Sequence, residues 1–313
     1  MSEIKIATRE AYGKTLAALA KENGDIVVLD ADLSKSTKTA ESKQTAPERF
    51  INCGIAEQNM IGVAAGLAAC GKTPFVSSFA VFATGRAFEQ IRNSVAYPSL
   101  NVKIAATHAG ITVGEDGGSH QAVEDVSLMR SLPNMTVLVP ADAWETEQMV
   151  RWAAEYEGPV YLRLGRLAVP QLPAENRSFK PLSGELLLPG SDIVIFACGM
   201  MVDQAMEAAE LLRTEGIKAA VANIHTIKPL DEDFIVDQAM HTGAALTVEE
   251  HSIIGGLGSA VAEALAEHCP TPMSRLGIAD QFGQSGSPAA LLKHYGLTPE
   301  AIAMRAKMVL ARK

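Results

Sequence analysis

Short apolar segments alternate with longer helix-like segments along most of the 313-residue chain. Predicted strands of the first half are 26–30, 50–53, 74–78, 102–107, 136–139 and 160–164. Predicted helices between them are 8–23, 56–70, 86–96, 126–132 and 142–156. This alternation is typical of βαβ units built around a parallel sheet.

A proline-rich stretch interrupts the alternation near the middle of the chain. Four of the fifteen prolines lie there, at Pro170, Pro173, Pro181 and Pro189. We therefore predict a linker at 169–190 between domains 1–168 and 191–313. In the second domain we predict strands at 193–197, 219–224 and 244–248, and helices at 202–215, 259–268 and 288–294. The expected fold class is α/β, with two doubly wound domains, of which the first is larger and mainly parallel.

Charge and composition exclude several classes of protein. The net charge of −9 argues against nucleic acid or an anionic membrane as the main partner. The longest apolar run, 193–202, is much shorter than the roughly 20 residues that span a bilayer, and the amino terminus has no secretory pattern. The scattered cysteines, Cys53, Cys70, Cys198 and Cys269, indicate a reducing compartment. We expect a cytoplasmic protein.

Glu57 lies where the first turn of a predicted helix follows a strand, within the segment Gly-Ile-Ala-Glu-Gln-Asn-Met at 54–60. Open α/β sheets bind ligands at this end of their strands. The alternative is that the carboxylate only complements the helix dipole.

A glycine-rich loop at 107–121 follows another predicted strand and contains two histidines and two acids. Such side chains suit hydrogen bonding to hydroxyls and proton transfer. The competing interpretations are a solvated loop or a metal site at His108, Asp116 and His120, although these three lack compact ligand spacing. Phe79 and Phe82, one helical turn apart, are either core residues or a stacking surface for a flat ring.

These segments together resemble the carboxyl-terminal half of transketolase. The resemblance is carried by 54–60, by Phe79 with Phe82, and most specifically by Gly-Glu-Asp-Gly-x-x-His-Gln at 114–121. It covers essentially the whole chain and includes Thr-Val-Glu-Glu-His at 247–251 and the glycine-rich 255–259. It implies a pyrimidine-binding domain followed by the transketolase C-terminal domain.

The resemblance implies thiamine diphosphate as cofactor. Glu57 matches the carboxyl group that acts on N1′ of the aminopyrimidine and so favours its imino tautomer. Phe79 and Phe82 match the aromatic pair that packs around the pyrimidine. Asp32 matches an acid near the cofactor and the subunit contact, although it could equally be an exposed acid in a turn.

The resemblance also implies a substrate site for phosphorylated sugars. His108, Asp116 and His120 match residues that contact the sugar hydroxyls and the reacting carbonyl, with His120 best placed for proton relay. The residues that match the substrate-phosphate site are Arg9, Ser36 and Arg166. Arginine suits phosphate because its donors form a planar fork. An alignment shift of one residue would exchange Arg166 with a neighbour.

Two departures from the family pattern bear on the reaction. Gly85 stands where transketolases commonly carry a third aromatic residue, and Gly-Ile-Ala-Glu-Gln is closer to the deoxyxylulose-phosphate synthase form. The donor sugar therefore stays open. The chain also contains no Gly-Asp-Gly, the family signature for holding the diphosphate through a metal.

The missing signature predicts that the diphosphate and metal half of the site comes from another polypeptide. Together with the resemblance, it implies a split transketolase that transfers a two-carbon ketol unit between a phosphorylated ketose and an aldose. Thiamine diphosphate would be shared with an N-terminal transketolase section, which would bind most of the Mg²⁺ or Ca²⁺. By resemblance, two chains of each kind would form a heterotetramer, with self-association through the family interface. No metal ligand is assigned to this chain.

Three other functions remain open from the sequence. One is the beta subunit of a 2-oxo-acid dehydrogenase first component, which has a similar domain order but lacks the 114–121 pattern. Another is an enzyme like deoxyxylulose-phosphate synthase. The last is a noncatalytic assembly subunit, against which the presence of Glu57, His108 and His120 argues.

Overall fold

The computed structural model describes residues 4–172, 177 and 179–313. Residues 1–3 of the predicted first domain and Pro173 of the predicted linker lie outside the described residues. Among the helices described, none has the length and apolar character needed to cross a membrane.

The first part of the chain alternates strands and helices from β1 to β8. Its strands are β1 (Lys5–Ala7), β2 (Ile26–Asp30), β3 (Phe50–Asn52), β4 (Thr73–Ser77), β5 (Lys103–Ala106), β6 (Thr136–Leu138), β7 (Val160–Arg163) and β8 (Ala168–Pro170). Its α-helices are α1 (Thr8–Glu22), α2 (Ser34–Thr37), α3 (Ala40–Thr45), α4 (Glu57–Ala69), α5 (Phe88–Gln90), α6 (Asp125–Arg130) and α7 (Ala143–Glu155). Short 3-10 turns lie at Pro47–Arg49 and Ile111–Val113, and π-helical segments at Val81–Arg86 and Ile91–Ala96.

The second part repeats the alternation from β9 to α12. Its strands are β9 (Glu185–Leu188), β10 (Ile193–Ala197), β11 (Ala219–Asn223), β12 (Thr226–Lys228), β13 (Ala245–Ser252) and β14 (Met273–Ile278). Its helices are α8 (Met201–Thr214), α9 (Glu232–Thr242), α10 (Leu257–His268), α11 (Pro288–His294) and α12 (Pro299–Leu310).

The larger sheet has the strand order β12-β6-β7-β5-β4-β2-β3 within the described residues. Every pairing from β6 to β3 is parallel, which confirms the mainly parallel first domain. Strand β12 pairs antiparallel with β6, so the chain after the predicted linker returns to add an edge to the first sheet. Strands β1 and β8 form a separate antiparallel pair.

The smaller sheet has the order β14-β13-β10-β11-β9 in the same described part. Its pairings are parallel except for β9, which lies antiparallel to β11 at the edge. Strand β9 falls inside 169–190, so part of the stretch predicted as a linker belongs to the second sheet.

Apolar packing continues from one sheet to the other. One core cluster contains Val76 of β4 and Met60 of α4 together with Phe196 of β10, Ile227 of β12 and Val261 of α10. A second cluster packs the opposite face of the first sheet against α1 and α7. A third cluster forms the apolar core on the other face of the smaller sheet. The two domains are therefore joined by a shared core.

The helix predicted at 86–96 differs most from the structure. The helical region begins earlier, at Val81, and consists of two π-helical segments that flank the single turn of α5. The Thr84 hydroxyl donates to the Ala80 carbonyl at 2.7 Å, and such a bond competes with regular helical bonding. Gly85 next to it is exposed, and a Cβ there would meet open space.

The shared core yields a stability prediction. Ile227 is 1% exposed. We expect Ile227→Ala to lower the free energy of unfolding by about 2–5 kcal/mol, because the substitution leaves a cavity between the sheets. Denaturant titration measures this value. Met240→Ala, at a residue that is 67% exposed, is the control and should change stability by less than about 0.5 kcal/mol. Equal stability of both variants would contradict packing of β12 into the core.

Candidate functional site

The predicted site residues gather at the carboxyl edge of the larger sheet. Asp32 follows β2, Glu57 follows β3, Phe79 follows β4, His108 follows β5 and Arg166 follows β7. Because these strands are parallel, the segments after them meet at one edge, where α/β sheets bind ligands.

Glu57 is the first residue of α4, and its side chain is buried at 1% exposure. Its carboxylate accepts a hydrogen bond from Arg86 Nη1 at 2.7 Å and one from Ser78 Oγ at 3.3 Å. The position at a helix N-terminus favours a negative charge. The result is a buried carboxylate held by one half-exposed cation and one hydroxyl.

Four rings form a group beside the Glu57–Arg86 pair. Phe79 and Phe82 are nearly parallel, with centroids 5.9 Å apart and an interplanar angle of 10°. His108 stacks on Phe79 at 3.8 Å, and His120 meets Phe82 edge-on at 5.3 Å. The Arg86 guanidinium lies 4.8 Å from the Phe82 ring centroid. The structure therefore brings the predicted aromatic pair and both predicted histidines together.

His108 is buried, and its hydrogen bonds define its tautomer. Arg9 Nη1 lies 3.2 Å from Nε2, and Thr107 Oγ1 lies 2.8 Å from Nδ1. Since arginine can only donate, Nε2 must accept, and Nδ1 carries the proton and donates to Thr107. Burial lowers the pKa of His108 to about 3, assisted by the charges of Arg9 and Arg166. His108 is therefore neutral at physiological pH.

Two guanidinium groups lie beyond His108. Arg9 donates to the backbone carbonyl of Ser36 at 2.9 Å, and Arg166 donates to the carbonyl of Val113. Arg166 Nη1 also lies 3.6 Å from a carboxylate oxygen of Glu115. Burial lowers the pKa of Arg9, and the charge of Arg166 acts in the same direction. Two cations that repel one another would gain from a shared anion.

Two predicted site residues stand apart from the ring group. Asp32 is exposed, with a positive φ of 64°, and its Oδ1 accepts from Asn52 Nδ2 at 3.1 Å. Asp116 is exposed in the glycine-rich loop. His120, by contrast, is only partly exposed, and its Nδ1 lies 3.0 Å from Ser119 Oγ.

Sequence reasoning missed two residues that contact Glu57, namely Arg86 and Ser78. Arg86 comes four residues after Phe82, a spacing that places the two side chains on one helical face. Ser78 immediately precedes Phe79 at the end of the same strand. Both signals were present in the sequence.

No group of three or more His, Cys, Asp or Glu side chains is arranged to hold a metal ion in 4–172, 177 and 179–313. The assignment of the metal to a partner chain stays a prediction.

Comparison with known proteins identifies two families of domain in this chain. The model "Transketolase, pyrimidine binding domain" matches residues 4–171, and "Transketolase, C-terminal domain" matches residues 183–302. A transketolase C-terminal section from Methanocaldococcus jannaschii is 51% identical over 97% of this chain and 96% of its own length. The 6-deoxy-6-sulfo-D-fructose transketolase subunit of a Clostridium species is 45% identical over 97% and 95%.

Solved structures give the same result. The structure described as a split gene transketolase, inactive beta4 tetramer, superposes with a TM-score of 0.89 and 55% identity, and covers 98% of each chain. This likeness confirms the expected fold.

The neutral state of His108 yields a pH prediction. A histidine whose pKa falls from 6.5 to about 3 on folding contributes stability above pH 6.5 and loses it as the pH falls toward 3. We expect His108→Gln to flatten the dependence of the unfolding free energy on pH between 4.5 and 6 by about 1.4 kcal/mol per pH unit. Denaturant titrations across this range measure the slope. His241→Gln, at an exposed histidine, is the matched control, and equal slopes for both variants would contradict the assignment.

Proposed function

This chain belongs to the transketolase family, and on that premise we propose that it is the C-terminal subunit of a two-component, thiamine-diphosphate-dependent transketolase. The observation that carries the proposal is the buried Glu57 carboxylate at the start of α4, beside the parallel Phe79 and Phe82 rings. An acceptor of this kind next to flat apolar faces suits a planar heterocycle with an N–H group.

The residues present fit the pyrimidine end of the cofactor. When bound, thiamine diphosphate supplies an electron sink for making and breaking carbon–carbon bonds next to a carbonyl. Glu57 would hold a proton at the pyrimidine nitrogen, and Phe79 and Phe82 would orient the ring and exclude water. Arg86 and Ser78 each donate to one carboxylate oxygen, and a carboxylate has lone pairs enough for a further donor.

The histidines and arginines would bind the sugar. Neutral His108 can exchange hydrogen bonds with a hydroxyl or carbonyl, and His120 would relay protons through its ring. Arg9, Arg166 and Ser36 would hold the anionic end of the substrate, with Asp116 on a hydroxyl. A phosphorylated ketose is the proposed donor. A sulfonated sugar, as in the name of the Clostridium relative, is the other anion to test.

The open space at Gly85 bears on the substrate. A Cβ there meets no atom within 4 Å, so the structure leaves room where the family commonly carries an aromatic residue. We propose that a partner residue or a larger substrate fills this room.

An N-terminal section would complete the enzyme in the cytoplasm. This chain has no Gly-Asp-Gly, and one similar structure is described as an inactive tetramer of a split transketolase. The partner would bind the diphosphate and Mg²⁺ or Ca²⁺. Two chains of each kind would assemble, with Asp32 near the cofactor and the subunit contact.

Dependence on a partner can be measured directly. We expect the purified chain alone to show no ketol transfer, and the complex co-purified with an N-terminal section to show it with phosphorylated ketoses. Branched 2-oxo acids are the control substrates, and turnover of these instead would favour a dehydrogenase component. Full activity of the single chain would refute the division of the site.

The role of Glu57 can be tested in that complex. We expect Glu57→Gln to lower kcat by about 10²–10⁴-fold, because an amide cannot hold the proton that the carboxyl group exchanges. Glu89→Gln, at an exposed glutamate, is the matched control and should retain activity. A fully active Glu57→Gln complex would favour a noncatalytic assembly role for this chain.

A further inference from the structure

The loop that carries Asp116 and His120 is held at its start by a residue of the smaller sheet. The Glu250 carboxylate, on β13, accepts a hydrogen bond from the backbone N–H of Thr112 at 2.7 Å. Thr112 lies in the 3-10 turn Ile111–Val113, directly before the glycine-rich segment. Glu250 is 5% exposed, so this bond is shielded from water.

Gly110 allows Glu250 to come this close. Its φ is +79°, and a Cβ at this position would lie 2.3 Å from the carboxyl carbon of Glu250. Any side chain would therefore displace either the loop or the carboxylate.

The far end of the loop is fixed by Gln121. Its Nε2 lies 3.0, 3.2 and 2.9 Å from the carbonyl oxygens of Ile111, Gly114 and Gln284, and its two hydrogens serve the three acceptors, one of them shared. The first two bonds close the loop on itself, and the third ties it to the segment between β14 and α11. Ser285 in that segment donates to the Glu115 carbonyl at 2.7 Å.

Glu250 is itself fixed on the side away from the loop. Its backbone carbonyl accepts a hydrogen bond from Arg163 Nη2 at 2.9 Å, and Arg163 forms a bidentate ion pair with the Asp125 carboxylate. The carboxylate therefore extends from a strand that is anchored to the larger sheet. The carboxylate therefore couples the position of the smaller domain to that of the loop, through its hydrogen bond with Thr112.

We propose that Glu250 is a positioning residue for the substrate loop at 110–121, and that the smaller domain contributes to catalysis through it. Its effect on turnover rests on the proposed function, whereas its effect on loop order does not. Removal of the carboxylate leaves the Thr112 N–H buried without a partner and frees the start of the loop.

Hydrogen exchange in the full chain alone tests loop order. In Glu250→Ala we expect the amides of 110–121 to exchange about tenfold faster or more than in the wild type. Glu250→Gln keeps an oxygen acceptor and should restore protection. The matched control is Glu249→Ala, because Glu249 is also buried on the same strand but accepts from Leu257 and Gly258 of α10. It should accelerate exchange near α10 and leave the loop unchanged.

Gly110→Ala is a second variant, which keeps the Glu250 side chain but forces the loop and the carboxylate apart. We expect it to accelerate exchange of 110–121 as Glu250→Ala does. Wild-type exchange of the loop in either variant would overturn the proposal.

Kinetics of the reconstituted complex test the catalytic consequence. We expect Glu250→Ala to raise the KM for the ketose about tenfold or more and to lower kcat as well, because the same loop carries His120, and we expect Glu250→Gln to rescue both. A merely structural residue, such as Glu249, would lower the amount of folded protein and leave KM unchanged. A wild-type KM in Glu250→Ala would overturn the catalytic part. An inactive wild-type complex would instead refute the proposed function, and the exchange result would still decide the role of Glu250.

Discussion

A buried ion pair between Arg163 and Asp125 joins the two sheets and the glycine-rich loop. Arg163 donates to both carboxylate oxygens, at 2.8 and 3.2 Å, and to the carbonyls of Ala122 and Glu250. The Tyr161 hydroxyl donates to the same carboxylate at 2.6 Å. Burial would raise the pKa of Asp125, but the charge of Arg163 keeps it below its usual value. A buried ion pair is stable only when its remaining donors are satisfied. Here the remaining donors of Arg163 bind the backbone carbonyls of Ala122 and Glu250, in chain segments that flank the site.

Local pattern predicted most of the strands, because a strand covered on both faces reads as a short apolar run. Helix α9 was missed although Asp231 caps it and Gly243 ends it with a φ of 66°, so its signals were local and available. Strand β12 is different. It has three residues and pairs with β6, which lies almost ninety residues earlier in the chain. No local sequence pattern predicts such a pairing.

The same distinction applies to the site. Glu57 and the Phe79–Phe82 pair were found because a strand end and a helical spacing identify them locally. Arg163 and Arg166 are both cations near the end of one strand, and only the resemblance selected Arg166 for the phosphate site. The structure separates them through partners far along the chain, because Arg163 is bound to Asp125 and Arg166 lies beside the loop.

The glycine-rich segment 255–259 shows why a helix N-terminus need not bind a ligand. A glycine-rich segment that opens a helix after a strand can in principle cradle a phosphate. In the structure the Glu249 carboxylate accepts from the N–H groups of Leu257 and Gly258 at 2.7 and 2.8 Å, and a Cβ at Gly256 would lie 2.1 Å from it. Burial raises the pKa of Glu249 to about 7. An internal carboxyl group thus takes the place of an external anion, and its neighbour Glu250 binds the start of the glycine-rich loop instead.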